Sequence, residues 1–114
     1  MRVMCSRRLW QSYRMHKLRI NRLAQVDLEQ IQENGLVQFG LAATRAFMQG
    51  FDRIFEHLQV YPFLGSARPE YGRAVRGYSH PPFKVLYRYQ GDVVSILRVL
   101  HVAQRARKID DTVQ

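Results

Sequence analysis

Residues 96–101 have the sequence Ile-Leu-Arg-Val-Leu-His, a run that decides the fold because it is apolar except for Arg98 and His101. The run is rich in branched apolar residues and follows Gly91 and Asp92, which predicts a strand near the middle of a sheet. An arginine buried there without a partner costs several kcal/mol, because its charge loses hydration. Arg98 is therefore expected either to pair with a carboxylate or to lie open to solvent.

The residues before this strand predict two further strands. The sequence FKVLYRY at 83–89 alternates in period two, and RAVRGY at 73–78 is the other strand candidate. The residues QGD at 90–92 predict a hairpin turn into the last strand. In a regular last strand, Arg98 shares its face with Val94, Ile96 and Leu100, and His101 shares its face with Leu97 and Val99. The first face of the middle strand holds Phe83, Val85, Tyr87 and Tyr89, and the second holds Lys84, Leu86 and Arg88.

Two helices are predicted between a first short strand, KLRI at 17–20, and the turn-rich loop at 61–72. The first helix follows Asn21 and ends at Gly35, a residue type common at helix ends. Its apolar face is formed by Ala24, Leu28 and Ile31, and Asp27, Glu29 and Glu33 lie outside that face. The second helix begins near Phe39 or Gly40 and ends at about Val60. Its apolar face is formed by Phe39, Ala43, Ala46, Phe47, Phe51, Ile54, Phe55 and Leu58.

The short link between the helices predicts an antiparallel hairpin, whose arms could approach closely at Ala42, Ala43 and Ala46. The element order therefore predicts an α+β fold, β-α-α-β-β-β, with the hairpin packed on one face of a mostly antiparallel twisted sheet. The other face of the sheet is expected to be left for a partner. The segment 102–114 predicts a short C-terminal helix that packs through Val102, Ala106 and Ile109, or else a tail.

Length and composition predict one domain, because 114 residues with 46% hydrophobic content form one core. Residues 17–114 are assigned to that domain. Residues 1–16 form a basic N-terminal extension, expected to be poorly ordered or to lie upstream of a true start at Met15. The alternative is an arm that contacts a partner through its arginines and Trp10.

The formal net charge of +9, mostly from arginine, suits a nucleic acid or an acidic protein partner. Cys5 is the only cysteine, which fits a reducing cytoplasm. The four histidines show no metal-ligand spacing, so no metal and no cofactor are expected. No apolar run approaches the roughly 20 residues that span a membrane, so no membrane association is expected.

Four motifs in this order make the chain resemble the ParE branch of the RelE/ParE toxin superfamily over residues 17–104. They are Ala-x-x-Asp-Leu-x-x-Ile at 24–31, Pro-x-x-Gly at 62–65, Arg-x-x-x-His at 76–80 and Arg-Val-Leu-His at 98–101. The resemblance implies a bacterial toxin of a type II toxin–antitoxin pair, in which the toxin poisons DNA gyrase. It also implies a hetero-oligomer with a cognate ParD-like antitoxin. That antitoxin is expected to be acidic and to fold as it binds.

Six residues are the candidates for binding the target or the antitoxin: Arg73, Arg76, His80, Tyr87, Arg98 and His101. In this interpretation Arg98 lies beside Arg76 and Tyr87 on the open sheet face. The antitoxin is also expected to contact the outer side of the helix hairpin. In the structural alternative, a carboxylate such as Asp27 or Glu70 pairs with Arg98.

Two other function classes remain open on the sequence. The RelE relatives of this fold cut messenger RNA on the ribosome, and a metal-independent nuclease would take its acid, base and cations from His101, Tyr87, Arg76 and Arg98. The ParE interpretation, which is not enzymatic, is preferred because the C-terminal KIDDTVQ has no Tyr or His. A basic nucleic-acid-binding module is the third class, but the known sequence signatures of such modules are absent from the chain.

Overall fold

Residues 15–104, which are the residues that this computed structural model describes, form a five-stranded sheet and one interrupted helical segment. The sheet order is β1-β5-β4-β3-β2, and only the β1–β5 pair is parallel. The predicted α+β class is confirmed. The predicted C-terminal helix and nearly all of the N-terminal extension lie outside the described residues. The elements are β1 (Lys17–Ile20), α1 (Arg22–Val60), β2 (Ser66–Ala67), a 3₁₀ turn (Pro69–Tyr71), β3 (Val75–His80), β4 (Phe83–Gln90) and β5 (Val93–His101).

The segment α1 folds back on itself at Gly40, where the backbone leaves the helical region with φ 85° and ψ 176°. A Cβ added to Gly35 would lie 2.8 Å from Oγ1 of Thr44. Nine residues of continuous helix span about 13 Å, so this contact requires two antiparallel arms. The predicted hairpin is therefore present, with its first arm before Gly40 and its second arm after it.

Three details of the predicted hairpin are wrong. The first arm continues through Gly35, whose missing side chain makes room for Thr44 instead of ending the helix. The close approach does not involve the alanines, because Ala42, Ala43 and Ala46 are exposed. Phe39 is 70% exposed and precedes the break, so it does not belong to the apolar face of the second arm.

The main core lies between the hairpin and the sheet. The hairpin contributes Ala24, Phe51, Ile54, Phe55 and Leu58, and the strands contribute Val85, Tyr87, Val94, Ile96 and Val99. Leu28, Ile31, Phe47, Phe83 and Tyr89 pack against this cluster from its margin. The predicted alternation along β4 is confirmed, because Val85 and Tyr87 face the hairpin and Leu86 faces the other way.

The opposite face of the sheet contains a second buried cluster and is not the open face that the sequence predicted. Its members are Val75, Leu86, Leu97 and Leu100, none more than 4% exposed, and Tyr71 packs against them. An apolar row of this kind is stabilised by being covered, at roughly 25 cal/mol per Å² of apolar surface. The prediction failed because Leu97 and Leu100, which the sequence assigned to different faces, lie together with Leu86 on this one.

The strand β5 is interrupted by a β-bulge at Leu97. Tyr87 pairs with Ile96, but the preceding Leu86 pairs with Arg98, so Leu97 is an extra residue on β5. The bulge changes the expected grouping: Val94, Ile96 and Val99 face the hairpin, whereas Leu97 and Leu100 lie in the opposite cluster. The expected groupings of Leu100 with Val94 and Ile96, and of Leu97 with Val99, are therefore wrong.

The turn between β4 and β5 agrees with the sequence. Gly91 and Asp92 both have positive φ, at 59° and 66°, as a two-residue hairpin turn matched to strand twist requires. The sequence did not predict β2, because its two residues, Ser66–Ala67, lie in what was assigned as loop.

Candidate functional site

Arg98 is held by an acid from the hairpin. Its Nε donates to Oδ2 of Asp27 at 2.8 Å and its Nη2 donates to Oδ1 at 3.1 Å. The backbone N–H of Val99 donates to the same Oδ2 at 2.9 Å. This hydrogen bonding raises the pKa of Arg98.

The position of this pair follows from the length of β1. The parallel pairing of β1 with β5 ends at Ile96, so β5 has no paired β1 residue beyond that point. Beyond that point, Asp27 on the first arm of the hairpin accepts the hydrogen bond of the Val99 N–H in place of a β1 residue. The structural alternative for Arg98 is thus observed with Asp27, which is only 12% exposed and does not lie outside the helical face as expected. Glu70 lies beside Arg68 instead, at 3.8 Å.

Tyr87 is fully buried and holds the loop after the hairpin. Its hydroxyl donates to the carbonyl of Pro62 at 2.7 Å and accepts from the N–H of Gly65 at 2.8 Å. Burial raises the pKa of Tyr87, against a smaller opposing effect of the Gly65 hydrogen bond. A Cβ on Gly65 would lie 2.7 Å from the carbonyl oxygen of Gly77, which explains the glycine of the Pro-x-x-Gly motif.

Arg76 binds the outer side of the same loop. Its Nε donates to the carbonyl of Gly65 at 2.8 Å, and its Nη2 donates to the carbonyl of Phe63 at 3.2 Å. Its guanidinium carbon lies 5.3 Å from the centre of the Phe63 ring. Arg76 is opposite Tyr87 in the β3–β4 register, so these two predicted site residues are neighbours.

His80 packs within an aromatic cluster. Its ring is stacked on Phe47 with centroids 4.4 Å apart and meets Phe51 edge-on at 4.6 Å. Its Nε2 is 3.2 Å from the carbonyl oxygen of Phe47. Gly50 lies against the same ring, where a Cβ would approach within 2.6 Å. His80 therefore ties β3 to the second arm of the hairpin.

His101 is exposed at the end of β5. Its Nδ1 accepts from the N–H of Ala103 at 3.1 Å, and its ring meets Phe83 edge-on at 5.5 Å. Its own N–H donates to Oε1 of Gln104 at 3.2 Å. This ring is the most accessible of the six candidate side chains apart from Arg73.

A cavity of about 660 Å³ opens beside His101, between the hairpin and the end of β5. Phe39, Phe47 and Phe83 supply much of its apolar surface, and Thr44 lines its floor with a buried Oγ1 that has no hydrogen-bond partner among the described residues. Four amide side chains also line it: Gln30, Asn34, Gln38 and Gln104. The sequence alone does not reveal this cavity, because its walls meet only when the helical segment folds back at Gly40.

Arg73 is exposed, and its carbonyl accepts from Nε of the buried Arg88 at 3.0 Å. On the same side of β4, Nζ of Lys84 donates to the hydroxyl of Tyr71 at 2.7 Å. These contacts join β4 to the segment that precedes β3. Lys84 and Arg88, the two basic residues of β4, are thus both involved in packing this segment.

The six candidates do not form one patch within residues 15–104. Arg76 and Tyr87 are neighbours, whereas Arg98 lies on β5 and pairs with Asp27 of the hairpin. The expected group of Arg76, Tyr87 and Arg98 on an open face is therefore not present. His101 pairs with Phe83, four residues along β4 from Tyr87, or about 13 Å in an extended strand.

In the described part of the chain, no group of three or more His, Cys, Asp or Glu side chains is placed to hold a metal ion. Over the same residues, no helix combines the length and the apolar character needed to cross a membrane.

The comparisons with known proteins agree with the fold. A family model described as the ParE toxin of the type II toxin–antitoxin system parDE matches residues 18–106. The chain is 31% identical to Toxin ParE3 of Caulobacter vibrioides over 74 residues. These residues cover 65% of this chain and 74% of that protein.

Two solved structures are similar to the chain. One is described as the chromosomal ParDE TA system from P. aeruginosa, with a TM-score of 0.67 and 27% identity over 77% of this chain and 97% of that one. The other is the toxin–antitoxin complex RelBE2 from Mycobacterium tuberculosis, with a TM-score of 0.56 and 21% identity over 76% of this chain and 98% of that one. The second is a likeness of fold alone.

Proposed function

The chain belongs to the ParE family of type II toxin–antitoxin toxins, and from that premise we propose that it arrests bacterial growth in the cytoplasm by binding DNA gyrase. A cognate antitoxin holds it inactive by direct binding. The gyrase target and the antitoxin are what the family resemblance implies for this chain.

The proposal that the toxin acts by binding, and not as a nuclease, is supported by the contacts of three of the four candidate catalytic residues. The hydroxyl of Tyr87 is buried and makes two hydrogen bonds to the 62–65 loop. Arg98 is paired with Asp27, and Arg76 donates to two loop carbonyls. RNA cleavage needs an acid, a base and cations around one phosphate, and these groups do not converge on a common point.

The antitoxin part of the proposal is supported by the cavity beside His101. Its volume of about 660 Å³ is enough for several apolar side chains, and Phe39, which lines it at the hairpin tip, is 70% exposed. An amphipathic helix of the antitoxin supplies apolar side chains to such a groove. The amides around the rim can bond to polar groups on that helix.

The test is to express the chain in bacteria alone and together with the acidic protein encoded beside it. Growth arrest that the second protein relieves, with plasmids losing negative supercoiling during the arrest, is the expected result. The Phe39→Ala variant is expected to escape the antitoxin while remaining toxic. Normal supercoiling accompanied by cleavage of ribosome-bound messenger RNA would contradict the gyrase target and support the nuclease alternative.

A further inference from the structure

The positive charge of the described residues is unevenly distributed. Residues 64–90 contain five basic residues and one acid, whereas residues 22–60 contain three arginines and five acids. The hairpin is therefore weakly acidic, and most of the excess positive charge lies in the segment 64–90, which contains β2, β3 and β4. An acidic partner is attracted to these strands and not to the hairpin, because like charges repel.

An exposed aromatic side chain lies within this basic region. The Phe63 side chain is 66% exposed, yet it is fixed on two sides, by the guanidinium of Arg76 and by Tyr89, which meets it edge-on at 5.4 Å. The backbone of Phe63 is fixed too, since Arg76 donates to its carbonyl. A side chain that is already immobilised loses little entropy when it binds a partner.

A second arginine lies on the other face of β3. The side chain of Arg68 lies across Gly77, where an added Cβ would meet Arg68 Cγ at 3.1 Å and Nε at 3.3 Å, and Gly77 alternates with Arg76 along the strand. Arg68 is about half exposed and only loosely paired with Glu70, so it adds to the positive charge around β3. Phe63 and Arg76 together define what we call the Phe63 surface, and aromatic residues and arginine are the types that dominate binding energies at protein interfaces.

We propose that the Phe63 surface binds an acidic, extended segment of the cognate antitoxin. This inference rests on the proposed function and divides the antitoxin contact into two parts. An apolar helix occupies the cavity near the hairpin tip, and the acidic segment lies on the Phe63 surface at the other end of the second arm.

The distance between these two parts is compatible with one chain. The second arm has about twenty residues, and at 1.5 Å per residue it separates them by about 30 Å. An extended linker of about ten residues covers that distance. An antitoxin that makes both contacts gains affinity from each, because the second contact forms within the complex.

The experiment measures the affinity of the purified chain for the acidic protein encoded beside it, at 50 and 300 mM salt. Phe63→Ala is expected to raise the dissociation constant about 30-fold or more, as loss of an interface anchor does. Val37→Ala is the matched control, because Val37 is more exposed and lies at the far end of the arm without lining the cavity. It is expected to change the affinity less than about threefold.

A second pair of variants tests how much charge contributes to the rate of antitoxin binding. Arg68→Gln is expected to slow association several-fold at low salt and much less at high salt, whereas Arg45→Gln on the hairpin leaves the rate nearly unchanged. Circular dichroism and the melting temperature establish that each variant is folded. All four substitutions are at exposed side chains, where small effects on stability are the rule.

Each outcome has a defined meaning. A folded Phe63→Ala variant that binds within about threefold of the wild type overturns the inference, while the wild-type complex still supports the proposed function. Unchanged antitoxin affinity with loss of gyrase inhibition assigns the surface to the target instead. Weakened binding of a single-stranded DNA oligonucleotide, with unchanged antitoxin affinity, assigns it to nucleic acid. If the wild-type chain binds no such acidic protein, the proposed function itself fails.

Discussion

Replacing Asp27 by Asn should destabilise the protein strongly, because one carboxylate holds three donors. These are Nε and Nη2 of Arg98 and the backbone N–H of Val99. An asparagine keeps a single acceptor oxygen, and its amide group must point at one of these donors. The variant thus loses one or two of these hydrogen bonds and leaves Arg98, whose side chain is only 26% exposed, without its counter-charge.

The expected loss is about 3 kcal/mol, since breaking a buried ion pair by removing one partner costs about 3–5 kcal/mol and Arg98 is partly exposed. In a urea titration with a slope of about 1–2 kcal/mol per molar, the midpoint should fall by about 1.5–3 M. Glu29→Gln removes an exposed acid from the same arm and is the control, with an expected change below about 0.5 kcal/mol.

A double-mutant cycle isolates the pair itself. Arg98→Met removes the charge that Asp27 neutralises, so the double variant with Asp27→Asn should be more stable than the sum of the two single losses predicts. The expected coupling energy is about 1.5–3 kcal/mol. If Asp27→Asn unfolds within about 0.5 kcal/mol of the wild type, Asp27 does not link the hairpin to β5 and the reasoning is refuted.

Three further variants test the loop and the hairpin, each by its melting temperature. Tyr87→Phe removes the donor to Pro62 and the acceptor for Gly65, and a loss of about 1–3 kcal/mol is expected; an unchanged melting point would contradict this role. Gly65→Ala should be at least as harmful, because the new Cβ would lie 2.7 Å from the backbone oxygen of Gly77. Gly40→Ala meets open space but needs positive φ, so it should cost only about 1 kcal/mol, and a larger loss would mean that more than backbone strain is involved.

The free energy lost when a charge is buried unpaired made one contact of the site predictable, the pairing of Arg98 with a carboxylate. A buried arginine needs a carboxylate, and the sequence placed Asp27 on the helix that packs beside Arg98. It could not show the bulge at Leu97, because one inserted residue changes the strand register without changing the apolar pattern. The sequence therefore named Asp27 as one of two candidate partners of Arg98, but it assigned Leu97 and Leu100 to the wrong groups on the strand.

The two glycines of the hairpin show a second limit. Gly35 and Gly40 are both plausible helix ends in the sequence, since glycine is common at such ends. Only the folded structure distinguishes them: Gly40 has the positive φ, and Gly35 has the close contact with Thr44. Because the break was placed early, Phe39 was assigned to the core, and the exposed hairpin tip with its cavity was missed.

The sequence also did not show that the Phe63 side chain is exposed. A phenylalanine in a turn-rich loop is compatible with burial or exposure, and its neighbours Arg76 and Tyr89 come from strands β3 and β4. Tyr87 illustrates the opposite case, since its place on the apolar face of β4 was predicted but its hydroxyl contact with the loop was not.

The most direct test of the central claim is supercoiling of relaxed plasmid by purified gyrase and ATP, with the isolated chain titrated in. The expected result is that supercoiling is lost, that cleaved DNA accumulates, and that prior addition of the antitoxin restores gyrase activity. His101→Ala and Arg73→Gln, at the two most accessible candidates, are the first variants to compare. Full supercoiling in the presence of excess folded chain would contradict the claim that gyrase is the target.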